Sequence, residues 1–285
     1  MVGDPRRQVS LDFTGEDVVP LQSLELEKCM QVYSVKMKIS QGMTQEMVNV
    51  LGSLGLHSLD LTDCDRLKDV AALGGIHTLV LDDCYHITDV NALGGVHTLS
   101  LSSCHRVTDV SALGKVYNLN LSGCNGIRDV SALGQVHNLD LRCCAYVTDV
   151  SALGKVHSLN LSGCDGIRDV SALGGVHTLN LYRNSRISDV SALGSVHTLN
   201  LGQCARELNL SCLGGVHSLD LSGYHFDIPD VSVFAGVHTL NLTGCVTASM
   251  DLDSLDAVSH LITDGLRHRH EIVPPSLHNI DSWDY

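Results

Sequence analysis

Between positions 59 and 201 the apolar residues return every 20 positions with almost no slippage. The unit beginning at Leu121 reads LSGCNGIRDVSALGQVHNLD, and the one beginning at Leu161 reads LSGCDGIRDVSALGGVHTLN. A fixed period of this length marks a chain of stacked coils, each burying its apolar side against its neighbours. Within a unit, Leu99 and Leu101 alternate with Thr98 and Ser100. That alternation predicts a short strand with leucines inward and small polar residues outward. After the strand, Leu67, Val70 and Leu73 lie three apart, as do Ile127, Val130 and Leu133. A spacing of three suits a 3₁₀ turn with one face inward. Asp69 stands where its carboxylate can accept the free N–H groups opening that turn. Gly74 follows the turn and is expected in the left-handed conformation, cornering the chain back to the strand. Twenty residues leave no room for a full helix, so a slim, gently curved solenoid is expected.

Each unit also carries L-x-x-L-x-L-x-x-C, as at Val96, Leu99, Leu101 and Cys104, or Val116, Leu119, Leu121 and Cys124. The pattern recurs about ten times between positions 56 and 245, with Asn184 once in place of the cysteine. It resembles the leucine-rich repeat family, whose motif allows Asn or Cys at that place. The wording of the units (VSALGKVHSLNLSGC from Val150) also looks like repeats in protist and giant-DNA-virus leucine-rich repeat proteins. The resemblance implies an α/β repeat fold, a right-handed solenoid or horseshoe. A parallel β-sheet would line its concave face, with short 3₁₀ turns or loops on the convex one. The expected organisation is an N-terminal cap over 1–50, a solenoid over 51–245, and a C-terminal cap and tail over 246–285. In the first segment Leu21, Leu24, Leu26 and Cys29 echo the motif, as a degenerate coil or a hairpin, and 43–54 reads as a helix. The period slips by one near 224–230, and Val258 and Leu261 resemble a last strand.

With 3 Phe and 1 Trp in 285 residues, the core must be aliphatic. The net charge of −14 disfavours sequence-independent binding to nucleic acid or to an anionic membrane, both of which need basic surfaces. No apolar run approaches the length of a membrane span, and the first residues lack the apolar stretch of a secretory signal. Of 11 cysteines, seven (Cys64, Cys84, Cys104, Cys124, Cys144, Cys164, Cys204) share one repeat position, and Cys245 is expected with them. A column of this kind reads as buried reduced thiols rather than disulfide pairs, which favours an intracellular, cytoplasmic compartment.

Two further columns invite chemistry. His57, His77, His97, His137, His157, His177, His197, His217 and His238 all precede a strand, with Tyr117 in the gap. A metal strip is conceivable, but a straight column of rings does not converge on an ion as ligation requires, so stacking is the expectation. His268, His270 and Glu271 in the tail offer a second metal reading against that of a solvated tail. Asp69, Asp89, Asp109, Asp129, Asp149, Asp169 and Asp189 raise calcium, against the capping role each has available. Ser, His and Asp occur in every unit, so their coincidence says nothing about catalysis. No cofactor is expected.

Function should then lie on the outward strand face. Its columns are mostly small and polar, including Asn160 and Asn180. Arg142, Tyr182 and Arg183 depart from this, and Arg and Tyr are the residues that most often anchor interfaces. Small Ser162 and Gly163 between them leave room for a partner's side chain. Asp60, Asp63, Asp82 and Asp83 make an acidic patch nearer the N-terminus. The reading is a monomeric, non-enzymatic scaffold binding a protein partner through Arg142, Asn160, Asn180, Tyr182 and Arg183. The competing readings are an enzyme or enzyme inhibitor with its activity in the irregular termini, and a structural spacer without a specific ligand.

Overall fold

From Ser58 onward every described coil of the protein begins with the same event, a three-residue strand paired in register with a neighbour. The computed structural model describes residues 8–12, 34–38, 44–204, 207–226, 228–245 and 252–264. They fall in two compact units, Met1–Ile127 and Arg128–Asp284. In the first, β1 (Gln8–Asp12), β2 (Ser34–Lys38), β3 (Ser58–Asp60), β4 (Thr78–Val80), β5 (Thr98–Ser100) and β6 (Asn118–Asn120) pair in parallel and in chain order. In the second, β7 (Asn138–Asp140), β8 (Ser158–Asn160), β9 (Thr178–Asn180), β10 (Thr198–Asn200), β11 (Ser218–Asp220), β12 (Thr239–Asn241) and β13 (His260–Ile262) do the same. From β3 to β6 and from β7 to β13 leucine sits on leucine, as in Leu159 on Leu179 and Leu199 on Leu219. The slip of one residue falls between β11 and β12, and β13 is the expected last strand. Because β1 and β2 are parallel, they are not the arms of a hairpin. The segment 13–33, where the motif's N-terminal echo falls, and the tail with His268, His270 and Glu271 lie outside the described residues.

A helix, α1 (Gln45–Ser53), precedes β3 and buries Val48 and Leu51. Thr44 caps it, its hydroxyl accepting the Met47 N–H at 3.3 Å. Between strands run 3₁₀ turns such as Ser151–Leu153 and Ser171–Gly175. The aspartate column opens them: Asp149 accepts the Ser151 N–H and Asp169 the Ser171 N–H, both at 2.9 Å. Hydrogen bonds from the side chain and backbone of those serines hold both carboxyls below the usual range.

The glycine after the turn behaves differently from the expectation. Gly74 is right-handed (φ −62°, ψ −12°), as is Gly134. Its constraint is space: a Cβ on Gly74 would lie 2.2 Å from the carbonyl oxygen of Ala92 in the next coil. The left-handed corner lies instead two residues after the second inward leucine of each motif. There Asp63, Asp83, Ser103, Cys143, Arg183 and Gln203 all have φ between 52° and 62°, in series with Gly123, Gly163 and Gly223. That conformation lets the corner stay paired to the next coil, as in Cys143 N–H to the Ser162 carbonyl at 2.9 Å.

The ten cysteines among the described residues are all free thiols. Those of the column donate to a carbonyl of the preceding coil: Cys84 to Leu61 (3.2 Å), Cys124 to Leu101 (3.0 Å), Cys164 to Leu141 (3.0 Å). Asn184 does the same work with its amide, donating to the Leu161 carbonyl at 2.9 Å. Cys and Asn thus fill the place in the same way, as small buried donors. In the coil that lacks both, Tyr224 occupies the position fully buried, and its hydroxyl accepts the Leu208 N–H at 2.6 Å. The histidines stack face to face, at 4.4 and 4.5 Å from His57 through His97 and at 4.5–4.6 Å from His137 to His238. Their planes are nearly parallel, so neighbouring nitrogen lone pairs run side by side rather than meeting at a point.

Two outcomes follow from this packing. Gly74→Ala should lower stability by about 1–3 kcal/mol, since backbone must move to admit the methyl. Gly75→Ala, with nothing within 4 Å of the new methyl, should change it by less than about 0.5 kcal/mol. Equal effects in urea denaturation would refute the packing account. The second outcome concerns alkaline pH. Burial pushes Cys104 up to about 12 and Cys64 to about 11, whereas an unfolded thiol ionises near about 8.5. Their contribution is fully present below the unfolded value and is lost as pH rises through the folded one. Denaturation midpoints should thus fall from about pH 8.5 upward, less steeply in Cys104→Ala.

Candidate functional site

The sheet face opposite the leucines is less open than its polar sequence implies. On the second unit Asp140, Asn160, Asn180, Asn200 and Asp220 are all buried. Each side chain accepts the backbone N–H two residues on: Arg142 (2.8 Å), Ser162 (3.1 Å), Tyr182 (3.0 Å), Gly202 (2.8 Å) and Ser222 (2.7 Å). This is the local turn that Asp and Asn side chains favour. Asn160 also donates to Asp140 at 3.3 Å. Asn160 and Asn180, expected on an exposed face, are thus only 3% and 8% exposed. The reason is spacing: side chains repeated every ~4.8 Å along a sheet cover one another. Their observed work is to hold the backbone that carries the next column outward.

That next column does reach solvent. Arg142 is half-buried, with Nη2 3.4 Å from a carboxylate oxygen of the buried Asp140. Its guanidinium neutralises a charge that would be costly alone. Tyr182 is half-buried, and its ring lies over Gly202, where a Cβ would fall 3.0 Å from Cδ2. The Arg183 guanidinium stands 5.2 Å from the Tyr182 ring centroid, and its Nε donates to Gln203 at 2.7 Å. Arg183 holds φ at 61° where the preceding coil has Gly163, a conformation that costs a non-glycine residue about 1 kcal/mol or more. Tyr182, Arg183 and Gln203 therefore form one cluster. Arg142 stands two coils away, roughly 10 Å by strand spacing, with Ser162 and Gly163 between. Cys143 is exposed beside this shelf.

Two contacts were not read from the residues: the ion pair of Arg142 with Asp140, and the Arg128 guanidinium 4.6 Å from the Tyr146 ring centroid. The Asp-x-Arg spacing was a signal for the first; the second joins different coils. In the first unit, the acidic patch is partly absorbed into the sheet. Asp60 accepts the Thr62 N–H and hydroxyl, and Asp82 accepts the Ser100 hydroxyl at 2.5 Å and the Ser102 N–H at 2.8 Å. Burial holds Asp82 above the usual carboxylate range.

No family model matches the chain, and no curated protein does either. Solved structures do share its fold. The internalin InlF of Listeria monocytogenes matches with a TM-score of 0.58 at 18% identity, over 93% of this chain and 88% of that one. The functional domain of InlJ from Listeria monocytogenes, which includes a cysteine ladder, matches with a TM-score of 0.51 at 18% identity, over 90% of this chain and 62% of that one. A leucine-rich repeat protein of Leptospira interrogans matches with a TM-score of 0.50 at 14% identity, over 91% and 84%. The fold is a leucine-rich-repeat solenoid: parallel strands about 20 residues apart, joined by 3₁₀ turns. No helix among the described residues is long and apolar enough to cross a membrane.

The Arg142–Asp140 pair separates structure from binding at this site. Arg142→Ala should cost about 1–3 kcal/mol, because Asp140 keeps its charge without its cation. Asp140→Asn in the same chain should recover most of that loss. A double-mutant cycle with no coupling would show that Arg142 owes nothing to Asp140.

Proposed function

We propose that the chain is a non-enzymatic scaffold that binds a protein partner on the sheet face of its second unit. Tyr182 and Arg183 form the contact centre, and Arg142 stands at its edge. Asn160 and Asn180 contribute by fixing the backbone of Ser162 and Tyr182. The observation that carries the reading is the Tyr182–Arg183–Gln203 cluster, raised on a left-handed corner in a face otherwise made of small polar side chains. Tyr brings rigid area at low entropic cost, and Arg brings a planar donor set suited to carboxylates. A leucine-rich-repeat fold is well suited to the role, since it spreads side chains over an extended surface. The free thiols support a reducing, intracellular setting.

The test is affinity capture, followed by measured affinity of the purified partner. Tyr182→Ala should raise Kd by about fivefold or more, as a contact-centre residue does. Ser122→Ala, in the same column of the first unit, should leave Kd within about twofold. If binding ignores Tyr182 and Arg183 but disappears on removal of 1–43 or 265–285, function moves to the termini. The repeats would then serve as a spacer.

A further inference from the structure

The cations of the second unit are not spread evenly. Among its described residues, Arg128, Arg142, Arg168, Arg183 and Arg186 all lie between the end of a strand and the following 3₁₀ turn; Lys155 alone lies elsewhere. Arg142 and Arg183 belong to the sheet face already described. The rest lie at the edge where the chain leaves the sheet, in company with Tyr146.

The repeat places these residues in two equivalent pairs. Arg128 is seven positions after Leu121 and Tyr146 five after Leu141, and the two are in contact, with the guanidinium over the ring. Arg168 and Arg186 occupy the same two positions two coils further on. By that equivalence the second pair has an arginine at the position where the first has its tyrosine. Both arginines are exposed, and neither has a hydrogen bond or ion pair among the described residues. The nearby carboxylates are already engaged. Asp149, Asp169 and Asp189 cap their turns, and Asp165 accepts the Ser185 hydroxyl at 2.8 Å. Two guanidinium groups without an ion pair of their own among the described residues keep their donors available for carboxylates from outside.

We propose that the edge formed by Arg128, Tyr146, Arg168 and Arg186 docks an extended acidic segment of a protein partner. This rests on the reading of the chain as a protein-binding scaffold and gives the partner its chemistry. Arg128 to Arg186 spans three coil steps, about 14 Å, the length of four or five extended residues. The occupant is a peptide rather than a nucleic acid because of what flanks the arginines. The capping aspartates run alongside as ionised carboxylates. A continuous phosphate chain would meet that row at every step. A peptide can set a few carboxylates on the arginines and place uncharged residues opposite the aspartates. Tyr146, 52% exposed and with Arg128 on its ring, offers apolar area to the peptide's side chains.

The test uses the full chain and fluorescein-labelled octaglutamate, followed by fluorescence anisotropy at low salt. Arg168→Gln/Arg186→Gln should raise Kd by about fivefold or more. The charge-matched control Lys115→Gln/Lys155→Gln, two exposed lysines at the far side of the 3₁₀ turn, should change it by less than about twofold. A labelled eight-nucleotide oligouridylate should bind more weakly than the peptide. All four substituted side chains are exposed, so unchanged melting temperatures confirm that each variant is folded. No peptide binding by the native chain, equal loss in the control, or tighter binding of the oligouridylate would overturn the proposal. Loss in Tyr182→Ala/Arg183→Gln without loss in Arg168→Gln/Arg186→Gln would overturn the edge and leave the sheet-face reading standing. The reverse pattern would keep the edge and remove Tyr182 and Arg183 from the contact centre.

Discussion

In-register parallel hydrogen bonding between coils is the constraint on which the rest of the structure depends. Once Leu159 pairs with Leu179 and Leu179 with Leu199, every other position must stack on its counterpart at the same spacing. A coil cannot choose a side chain independently. A bulky residue at the Gly74 position would strike the backbone of the next coil. A side chain without a donor at the Cys84 position would remove one hydrogen bond from the preceding coil's Leu61 carbonyl. Each coil satisfies its neighbours, and stability is a sum of nearest-neighbour terms.

The same constraint explains why polar columns are built as ladders. Aspartate at the turn, asparagine or aspartate at the strand end and histidine before the strand each have a structural partner within two residues or one coil. The capping bonds of Asp149 and Asp169, the Asx turns of Asn160 and Asn180, and the ring stack from His137 to His238 account for those side chains without a ligand. Repetition of a residue type along the solenoid is thus a sign of structural duty. Singular residues are where a functional reading has room: Arg142, Tyr182, Arg183 and Tyr146 break their columns and project from them.

Arg183 shows how departure is tolerated. Its corner demands a left-handed backbone, and glycine fills that place in the preceding coil. The cost of an arginine there is offset locally by the Gln203 hydrogen bond and the Tyr182 ring. Gly202, beneath that ring, is the matching accommodation one coil on. Two coils are needed to place one side-chain cluster, so the site belongs to the stack and not to any single repeat.

Period and local chemistry by themselves determined the strand positions, the 3₁₀ turns, the aspartate caps, the α1 helix and the inward cysteine column, because each depends on residues within one unit or on strict repetition. The one-residue slip before β12 was legible for the same reason. What only tertiary structure decided depends on distances between coils. It moved the left-handed corner from Gly74 to the Asp63 series, because Gly74 answers to the Ala92 carbonyl rather than to its own φ. It placed Asn160 and Asn180 under cover, because side chains ~4.8 Å apart shield one another. It also joined Arg142 to Asp140 and Arg128 to Tyr146. A sequence states which side chains face outward. How much water each still meets is set by its neighbours in adjacent coils.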